Sequence, residues 1–167
     1  MATFIGIDPG LAATGIAVIE GAGLEVHHYS YGTIQTDAGQ DLPQRLDRIF
    51  ADLSEILDQV RPDAMMVEDV FSLPRYPKSG ITLGQVTGVI LLAGYRAQIP
   101  VQQVAVREVK QVLTGNGNAG KQQLEASVRR RLDHPEAIKP SHASDALAMA
   151  LVGLYRENSP ASAFFRT

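Results

Sequence analysis

The chain has 167 residues, 45% of them hydrophobic, which is enough to bury one substantial core and favours a single domain. It contains no cysteine, which excludes disulfides, zinc–thiolate sites, iron–sulfur clusters and thiol nucleophiles, and indicates a reducing compartment such as the cytoplasm. The net charge of -3 argues only mildly against a nucleic-acid partner, because the charges are unevenly placed along the chain.

The first 36 residues are predicted to form a three-stranded antiparallel meander. Residues 3–8 are a short β-prone run that ends in Asp-Pro-Gly, and residues 14–20 form a second strand after a glycine-rich turn. Residues 24–36 read as a third strand, twisted or bulged near Gly32, that pairs with the second. The chain therefore begins with the antiparallel half of a sheet.

Helices and strands alternate in the remainder of the chain. A helix capped by Asp41 and ended by Pro62 precedes a compact apolar strand at 64–68. After a loop at 71–77, the predicted elements are a nearly all-apolar helix from 79 or 80 to 96 or 98, a strand at 100–104, and helices at about 105–113, 120–132 and 141–155. This order predicts an α/β fold in one domain, residues 1–157, followed by a disordered tail at 158–167.

Neither export nor membrane insertion is predicted. The amino terminus lacks the basic region and the long apolar region of a signal peptide. The most apolar stretch, residues 81–95, contains Gly84, Gln85 and Gly88 and is shorter than the roughly 20 residues that cross a bilayer. We therefore expect a protein without a membrane partner.

The distribution of charge leaves room for a nucleic-acid partner. Residues 1–70 carry 3 arginines against 12 acidic residues, whereas residues 71–139 carry 10 basic residues against 4 acidic ones. The second segment could face phosphates. Alternatively, amphipathic helices simply differ in their solvated faces.

Three acidic side chains are predicted to meet at one edge of the sheet. Asp8 and Glu68 each end an apolar strand, and ligands gather at the carboxyl ends of strands in open α/β sheets. Asp145 lies in the first turn of the last helix with His142 three residues before it, so the two share a face. Carboxylates hold hard divalent cations, and a pair of such ions roughly 4 Å apart supports phosphodiester cleavage. The pattern favours a metal-dependent nuclease.

Each of these residues also has a simpler interpretation when it is taken alone. Asp8 could be a turn residue of Asp-Pro-Gly, and Glu68 could cap the following loop, as we expect of Asp69. Asp145 could serve only the helix dipole, with His142 as a surface residue. The weight of the prediction comes from their combination.

In this order, the acidic residues resemble those of the RuvC family of crossover junction endodeoxyribonucleases, the Holliday-junction resolvases. Individually weak motifs carry the resemblance through their joint order and spacing, over residues 3 to about 157. They are Gly-Ile-Asp-Pro-Gly at 6–10 with Thr14-Gly15, Val-Glu-Asp-Val-Phe at 67–71, Leu-Gly-Gln at 83–85 with Gly88, Val-Lys-Gln at 109–111, and Ser-Asp-Ala-Leu-Ala at 144–148.

The resemblance implies a ribonuclease H-like fold with a mixed five-stranded sheet flanked by helices. It also implies a homodimer with two symmetric sites for a four-way DNA junction, and Mg²⁺ or Mn²⁺ as cofactors, two ions per site. Such an enzyme resolves junctions in DNA recombination and repair by two symmetric metal-dependent cleavages. A branch-migration motor complex would be a further partner.

The same resemblance suggests roles for the site residues. Asp8, Glu68 and Asp145 take the catalytic carboxylate positions, and His142 stands where many members have a further aspartate. Because imidazole suits Mn²⁺ better than Mg²⁺, we expect His142 to be a metal ligand or a proton shuttle and Mn²⁺ to support activity at least as well. Lys121 is expected to balance charge in the transition state.

Basic and aromatic residues near this site are predicted to bind DNA. Phe71 stands where the family has an aromatic residue that stacks on a base near the junction centre, and Lys110 and Lys121 match lysines that contact or neutralise phosphates. Core packing of Phe71 and solvated helix charges for the two lysines are the alternatives. The predicted DNA-binding residues are Phe71, Arg75, Lys78, Arg107, Lys110 and Lys121, with residues 129–131 as weaker candidates.

Two functions from other classes remain to be distinguished. Asp8-Pro9-Gly10 with Thr14-Gly15 before a hairpin also resembles the phosphate loop of an actin-like phosphotransferase lobe, although 167 residues leave no second lobe. A non-catalytic junction-binding module would bind branched DNA without cutting it. An ATP-binding assay and a cleavage assay separate these alternatives from the nuclease.

Overall fold

The computed structural model describes residues 1–69 and 77–157, and its centre is a five-stranded sheet. The order across the sheet is β3-β2-β1-β4-β5, and the strands are β1 Ala2–Asp8, β2 Ala13–Ala22, β3 Glu25–Gln35, β4 Ala64–Asp69 and β5 Val101–Ala105. The first three strands pair antiparallel, whereas β4 runs parallel to both β1 and β5. This is the mixed sheet that was predicted.

Five helices in the described residues follow the predicted order. They are α1 Leu42–Val60, α2 Pro77–Arg96, α3 Val106–Thr114, α4 Lys121–Leu132 and α5 Ser141–Glu157. Asp41 caps α1 as predicted: its carboxylate accepts a hydrogen bond from the Gln44 backbone N–H, and the Gln44 side chain accepts one from the Asp41 N–H. The main difference is that α2 begins at 77, before the predicted 79 or 80. None of the helices in the described parts of the chain is both long and apolar enough to cross a membrane.

The helices cover the two faces of the sheet and build a hydrophobic core on each. Ile5 and Ile7 of β1 pack with α1 and α2, whereas Phe4 packs on the other face with α5. Helix α5 lies directly on the sheet because Gly6 and Gly15 have no side chain. A Cβ atom at Gly15 would lie 2.0 Å from the backbone oxygen of His142, the second residue of α5. The first turn of α5 is therefore held beside the carboxyl end of β1.

The irregularity expected near Gly32 lies elsewhere. The pairing of β2 with β3 shifts register between Glu20 and Gly21, whereas Gly32 pairs regularly with Ile16. A Cβ atom at Gly21 would lie 2.3 Å from the backbone oxygen of Glu25 and 2.9 Å from Cδ2 of Leu154. The close approach of α5 thus coincides with the bulge, and the sequence of the hairpin does not reveal this contact.

Candidate active site

A cleft of about 280 Å³ brings together the four predicted metal-binding side chains. Asp8 ends β1 and Glu68 lies next to the last residue of the parallel strand β4, so both reach the same edge of the sheet. His142 and Asp145 enter the cleft from the beginning of α5. The rest of the wall includes Lys110, Lys121 and the apolar side chains of Leu83, Val106, Val109, Leu124 and Met149.

Two close contacts connect the polar residues of this cleft. Nδ1 of His142 lies 2.6 Å from Oδ2 of Asp8, whose residue is only 8% exposed. Asp8 and Glu68 also share a hydrogen bond between their carboxyl groups. The sequence predicted His142 as a neighbour of Asp145 on one helix face, but its hydrogen bond reaches across to Asp8. This contact depends on the close docking of α5 on β2.

Burial of the cleft changes the acidity of its carboxyl groups. Desolvation raises the pKa of Asp8 from 3.8 to about 6, and it raises the pKa of Glu68 from 4.5 to about 8 with help from the charge of Asp8. Burial also raises the pKa of Asp145, and the positive charge of Lys121 is the largest of the effects that lower it. Burial of Asp8 and Glu68 therefore keeps a proton on this pair of carboxyl groups at neutral pH.

The chemistry of these side chains fits a hard divalent cation. Within the described residues, no lysine or arginine forms an ion pair with Asp8, Glu68 or Asp145. Three carboxyl groups and one imidazole thus offer oxygen and nitrogen ligands whose mutual repulsion a cation would relieve. In residues 1–69 and 77–157, however, no three acidic or imidazole side chains are already arranged around one point. A metal would have to replace the proton that Asp8 and Glu68 share.

The raised pKa values predict that the metal-free fold loses stability as the pH rises. A carboxyl group whose pKa is higher in the folded state holds its proton after the unfolded chain has lost it, so the free energy of unfolding falls between about pH 4.5 and pH 8. Glu68→Gln removes the free-energy cost of ionising this buried carboxyl group. We expect the variant to exceed the wild type at pH 8 by at least about 1 kcal/mol, or about 2 to 4 °C in Tm.

Thermal unfolding followed by circular dichroism in EDTA, at pH 4.5 and pH 8, measures this difference. The gain should shrink at pH 4.5, where about half of the unfolded chains also carry a protonated glutamate and the folded glutamate keeps its proton. Asp69→Asn changes the neighbouring carboxylate and is the matched control. A Glu68→Gln variant that melts at or below the wild-type temperature at pH 8 would contradict the desolvation of this group.

The predicted DNA-binding residues are divided between the cleft and its surroundings. Lys110 and Lys121 line the cleft itself, and Lys121 is the first residue of α4. Lys78 borders a neighbouring groove with Leu11, Ser79, Thr82 and Leu83. Arg107 packs over Gly117, whose Cβ position lies 3.0 Å from Cγ of the arginine. Phe71 and Arg75 lie outside the described residues.

Sequence reasoning did not identify the polar groups that shape the loop after Asp8. The hydroxyl of Thr14 is completely buried and donates a hydrogen bond of 2.7 Å to the Gly10 backbone oxygen. The hydroxyl of Thr36 donates one of 2.5 Å to the Leu11 backbone oxygen. Thr14 belongs to a motif of the resemblance, which was a usable signal. Thr36 is the last residue of the predicted third strand and gave no such signal.

Comparisons with known proteins agree with this geometry. The chain matches the family model for the crossover junction endodeoxyribonuclease RuvC over residues 4–153. The crossover junction endodeoxyribonuclease RuvC of Geotalea uraniireducens is 42% identical over 147 residues, which are 88% of this chain and 85% of that protein.

Solved structures give the same result for the fold. T. thermophilus RuvC in complex with Holliday junction substrate matches with a TM-score of 0.88 and 32% identity, over 95% of this chain and 96% of that chain. The yeast mitochondrial Holliday junction resolvase Ydc2 matches with a TM-score of 0.63 over 93% and 78% of the two chains, but at 11% identity it supports the fold alone. The predicted ribonuclease H-like fold class is confirmed.

Proposed function

The chain belongs to the RuvC family of crossover junction endodeoxyribonucleases, and from this premise we propose that its carboxylate cleft holds the divalent ions that cut DNA at a four-way junction. Family membership confirms the predicted resemblance and makes the protein an endonuclease that resolves Holliday junctions. The observation that carries the proposal for the site is the convergence of Asp8, Glu68 and Asp145, from three distant segments, in one desolvated cleft.

Each polar residue of the cleft has a chemical role in this proposal. Asp8, Glu68 and Asp145 would hold two ions, Mg²⁺ or Mn²⁺, and the imidazole of His142 offers a nitrogen ligand or a proton shuttle. The bound ions would supply Lewis acidity and an activated water molecule. Lys121 places positive charge where the phosphate becomes more negative in the transition state. The apolar wall of Leu83, Val106 and Val109 keeps bulk water from weakening these interactions.

The cationic residues around the cleft support binding of a DNA backbone. Lys110 and Lys121 reach the cleft from α3 and α4, and no side chain caps the amino terminus of α4. Exposed N–H groups at such a terminus bind phosphate. Lys78, in a groove that shares Leu83 with the cleft, and Arg107 of α3 are further cationic residues for this role. Stacking by Phe71 and phosphate binding by Arg75 stay predictions from the sequence.

A second copy of the chain is proposed to bind along α2. The exposed residues of this helix include Ile81, Gly84, Gly88, Leu92 and Tyr95, whose spacings of three, four and seven residues place them along one stripe. Ile81 is 65% exposed and Tyr95 is 79% exposed, which is unusual for large apolar and aromatic side chains. The two glycines leave room for close approach of another helix. An isologous homodimer would match the twofold symmetry of a four-way junction.

Two further expectations concern the cellular setting. The resemblance to the family supports a branch-migration motor complex as a partner of the dimer. The absence of cysteine from the sequence supports a reducing compartment, so the cytoplasm stays the expected location.

Synthetic DNA tests the proposed function directly. Purified protein should make two symmetric nicks in a four-way junction with Mg²⁺ or Mn²⁺, leave a linear duplex of the same sequence uncut, and lose all cleavage in EDTA. Binding of the junction without any nick in either metal would indicate the non-catalytic module instead. Titration with ATP followed by calorimetry tests the phosphotransferase alternative, for which we expect no binding heat.

His142 is expected to set the response to the metal. Because imidazole is a better ligand for Mn²⁺ than for Mg²⁺, His142→Ala should lower the ratio of the Mn²⁺-supported to the Mg²⁺-supported rate by at least about tenfold. Cleavage rates over a titration of each metal measure this ratio. His27→Ala is the matched control, since His27 is exposed on β3 outside the cleft. An unchanged ratio would remove His142 from the set of metal ligands.

A further inference from the structure

The loop that follows Asp8, residues 9–12, contacts the imidazole ring of His142. A Cβ atom at Gly10 would lie 3.7 Å from Cε1 of the His142 ring, so the ring packs against this part of the loop. The buried hydroxyl of Thr14 stabilises the loop by its hydrogen bond to the Gly10 backbone oxygen. The loop therefore touches His142 and directly follows Asp8, the two partners of the contact in the cleft.

Three hydrogen bonds that involve Thr36 also hold the loop in place. Nε of Arg45, in the first turns of α1, donates to the hydroxyl of Thr36 over 2.8 Å. This hydroxyl donates to the Leu11 backbone oxygen over 2.5 Å, and the Thr36 backbone N–H donates to the Ala12 backbone oxygen over 3.1 Å. A hydroxyl that accepts a hydrogen bond from a charged group becomes a stronger donor, so Arg45 strengthens the hydrogen bond from Thr36 to the Leu11 oxygen.

The charge of Arg45 has no competing acidic partner. Among the described residues, no carboxylate lies within 4 Å of its guanidinium group, whereas Arg48, one turn later in α1, pairs with Asp52 at 2.6 Å. Neither Arg45 nor Thr36 lines the catalytic cleft. Their polar contacts are therefore directed at the loop and not at a substrate.

We propose that Thr36, supported by Arg45, is a positioning residue that holds loop 9–12 so that Asp8 and His142 keep their contact in the cleft. This inference rests on the proposed function, because it assumes that the cleft carries out the reaction. Displacement of a reacting group by about 1 Å can cost about a hundredfold in rate. Loss of the Thr36 hydroxyl leaves the Leu11 oxygen and Arg45 without their bond, so that only the hydrogen bonds to the Gly10 and Ala12 oxygens still hold the loop.

Thr36→Val tests the proposal, because valine keeps the shape of threonine and removes only the hydroxyl. We expect kcat for junction cleavage to fall by about ten- to a hundredfold, with KM and the Kd for the junction unchanged. Thr36→Ser should restore kcat to within about threefold of the wild type, since it keeps the hydroxyl. Arg45→Met should lower kcat less, and adding it to Thr36→Val should have little further effect. Arg48→Met is the matched control in α1.

A second measurement follows His142 without relying on catalysis. In ¹⁵N NMR spectra of the metal-free protein, the ring nitrogens of His142 should shift in Thr36→Val and return in Thr36→Ser. Equal kcat for Thr36→Val and the wild type, or equal losses for the valine and serine variants, would overturn the positioning role. If the wild type itself failed to cleave, the proposed function would fall. An unmoved His142 spectrum in Thr36→Val would then overturn the positioning role separately.

Discussion

Glu68→Gln is expected to abolish junction cleavage, with a loss of rate of at least about a thousandfold, corresponding to about 4 kcal/mol of transition-state stabilisation. Glutamine has the shape of glutamate, but it carries no charge and cannot replace a carboxylate as a ligand of a hard cation. The affinity for the junction in EDTA at neutral pH should stay about the same, because the wild-type pair of Asp8 and Glu68 keeps a proton there and the variant removes little negative charge. Single-turnover cleavage and fluorescence anisotropy measure the two effects separately.

Instability cannot explain such a loss. Removal of the desolvated Glu68 charge is expected to stabilise the metal-free fold at pH 8, so activity and Tm should change in opposite directions. Asp69→Asn, which changes the adjacent residue at the end of β4, is the matched control and should keep most of the activity. Retention of more than about a tenth of the wild-type rate by Glu68→Gln would remove this residue from the proposed metal site.

The positions of Asp8 and Glu68 at strand ends explain why their convergence in the candidate site could be predicted from the sequence. Asp8 and Glu68 follow apolar runs too short for helices, and parallel neighbours bring their carboxyl ends to one edge. The helical spacing of the last segment placed His142 and Asp145 on one face near its beginning. These are local patterns, which a sequence contains directly.

Contacts between distant segments were harder to predict. The hydrogen bond of His142 to Asp8 depends on how closely α5 approaches β2 at Gly15, and the shift of register at Gly21 accompanies the same approach. The proton shared by Asp8 and Glu68 depends on the burial of both groups in a complete cleft. Thr36 reaches the loop at residues 9–12 through the pairing of β2 with β3, and Arg45 of α1 reaches Thr36 from a separate element. Local sequence contains none of these distances.

Leu92→Glu is expected to convert a dimer into a monomer and to prevent paired cleavage. Leu92 is 47% exposed in the carboxyl-terminal half of the α2 stripe, where a second copy would bury it, and burial of an unpaired carboxylate costs several kcal/mol in each of two symmetric positions. Because Leu83 of the same helix lines the cleft that contains Asp8 and Glu68, an interface along α2 would also fix the distance between the two clefts. Sedimentation velocity at low micromolar concentration measures the mass of the variant.

Paired cleavage has its own readout in a supercoiled plasmid that extrudes a cruciform. Two coordinated nicks in one junction give a linear plasmid, whereas a single nick relaxes the plasmid and removes the cruciform before a second cut. Leu92→Glu should therefore produce nicked circles at a reduced rate and almost no linear product. Leu24→Glu makes the same substitution at a leucine that is 69% exposed in the turn between β2 and β3, so it should leave both mass and product unchanged. A Leu92→Glu protein that remains dimeric would place the interface elsewhere, and a monomer that still gives linear product would show that one copy can make both cuts.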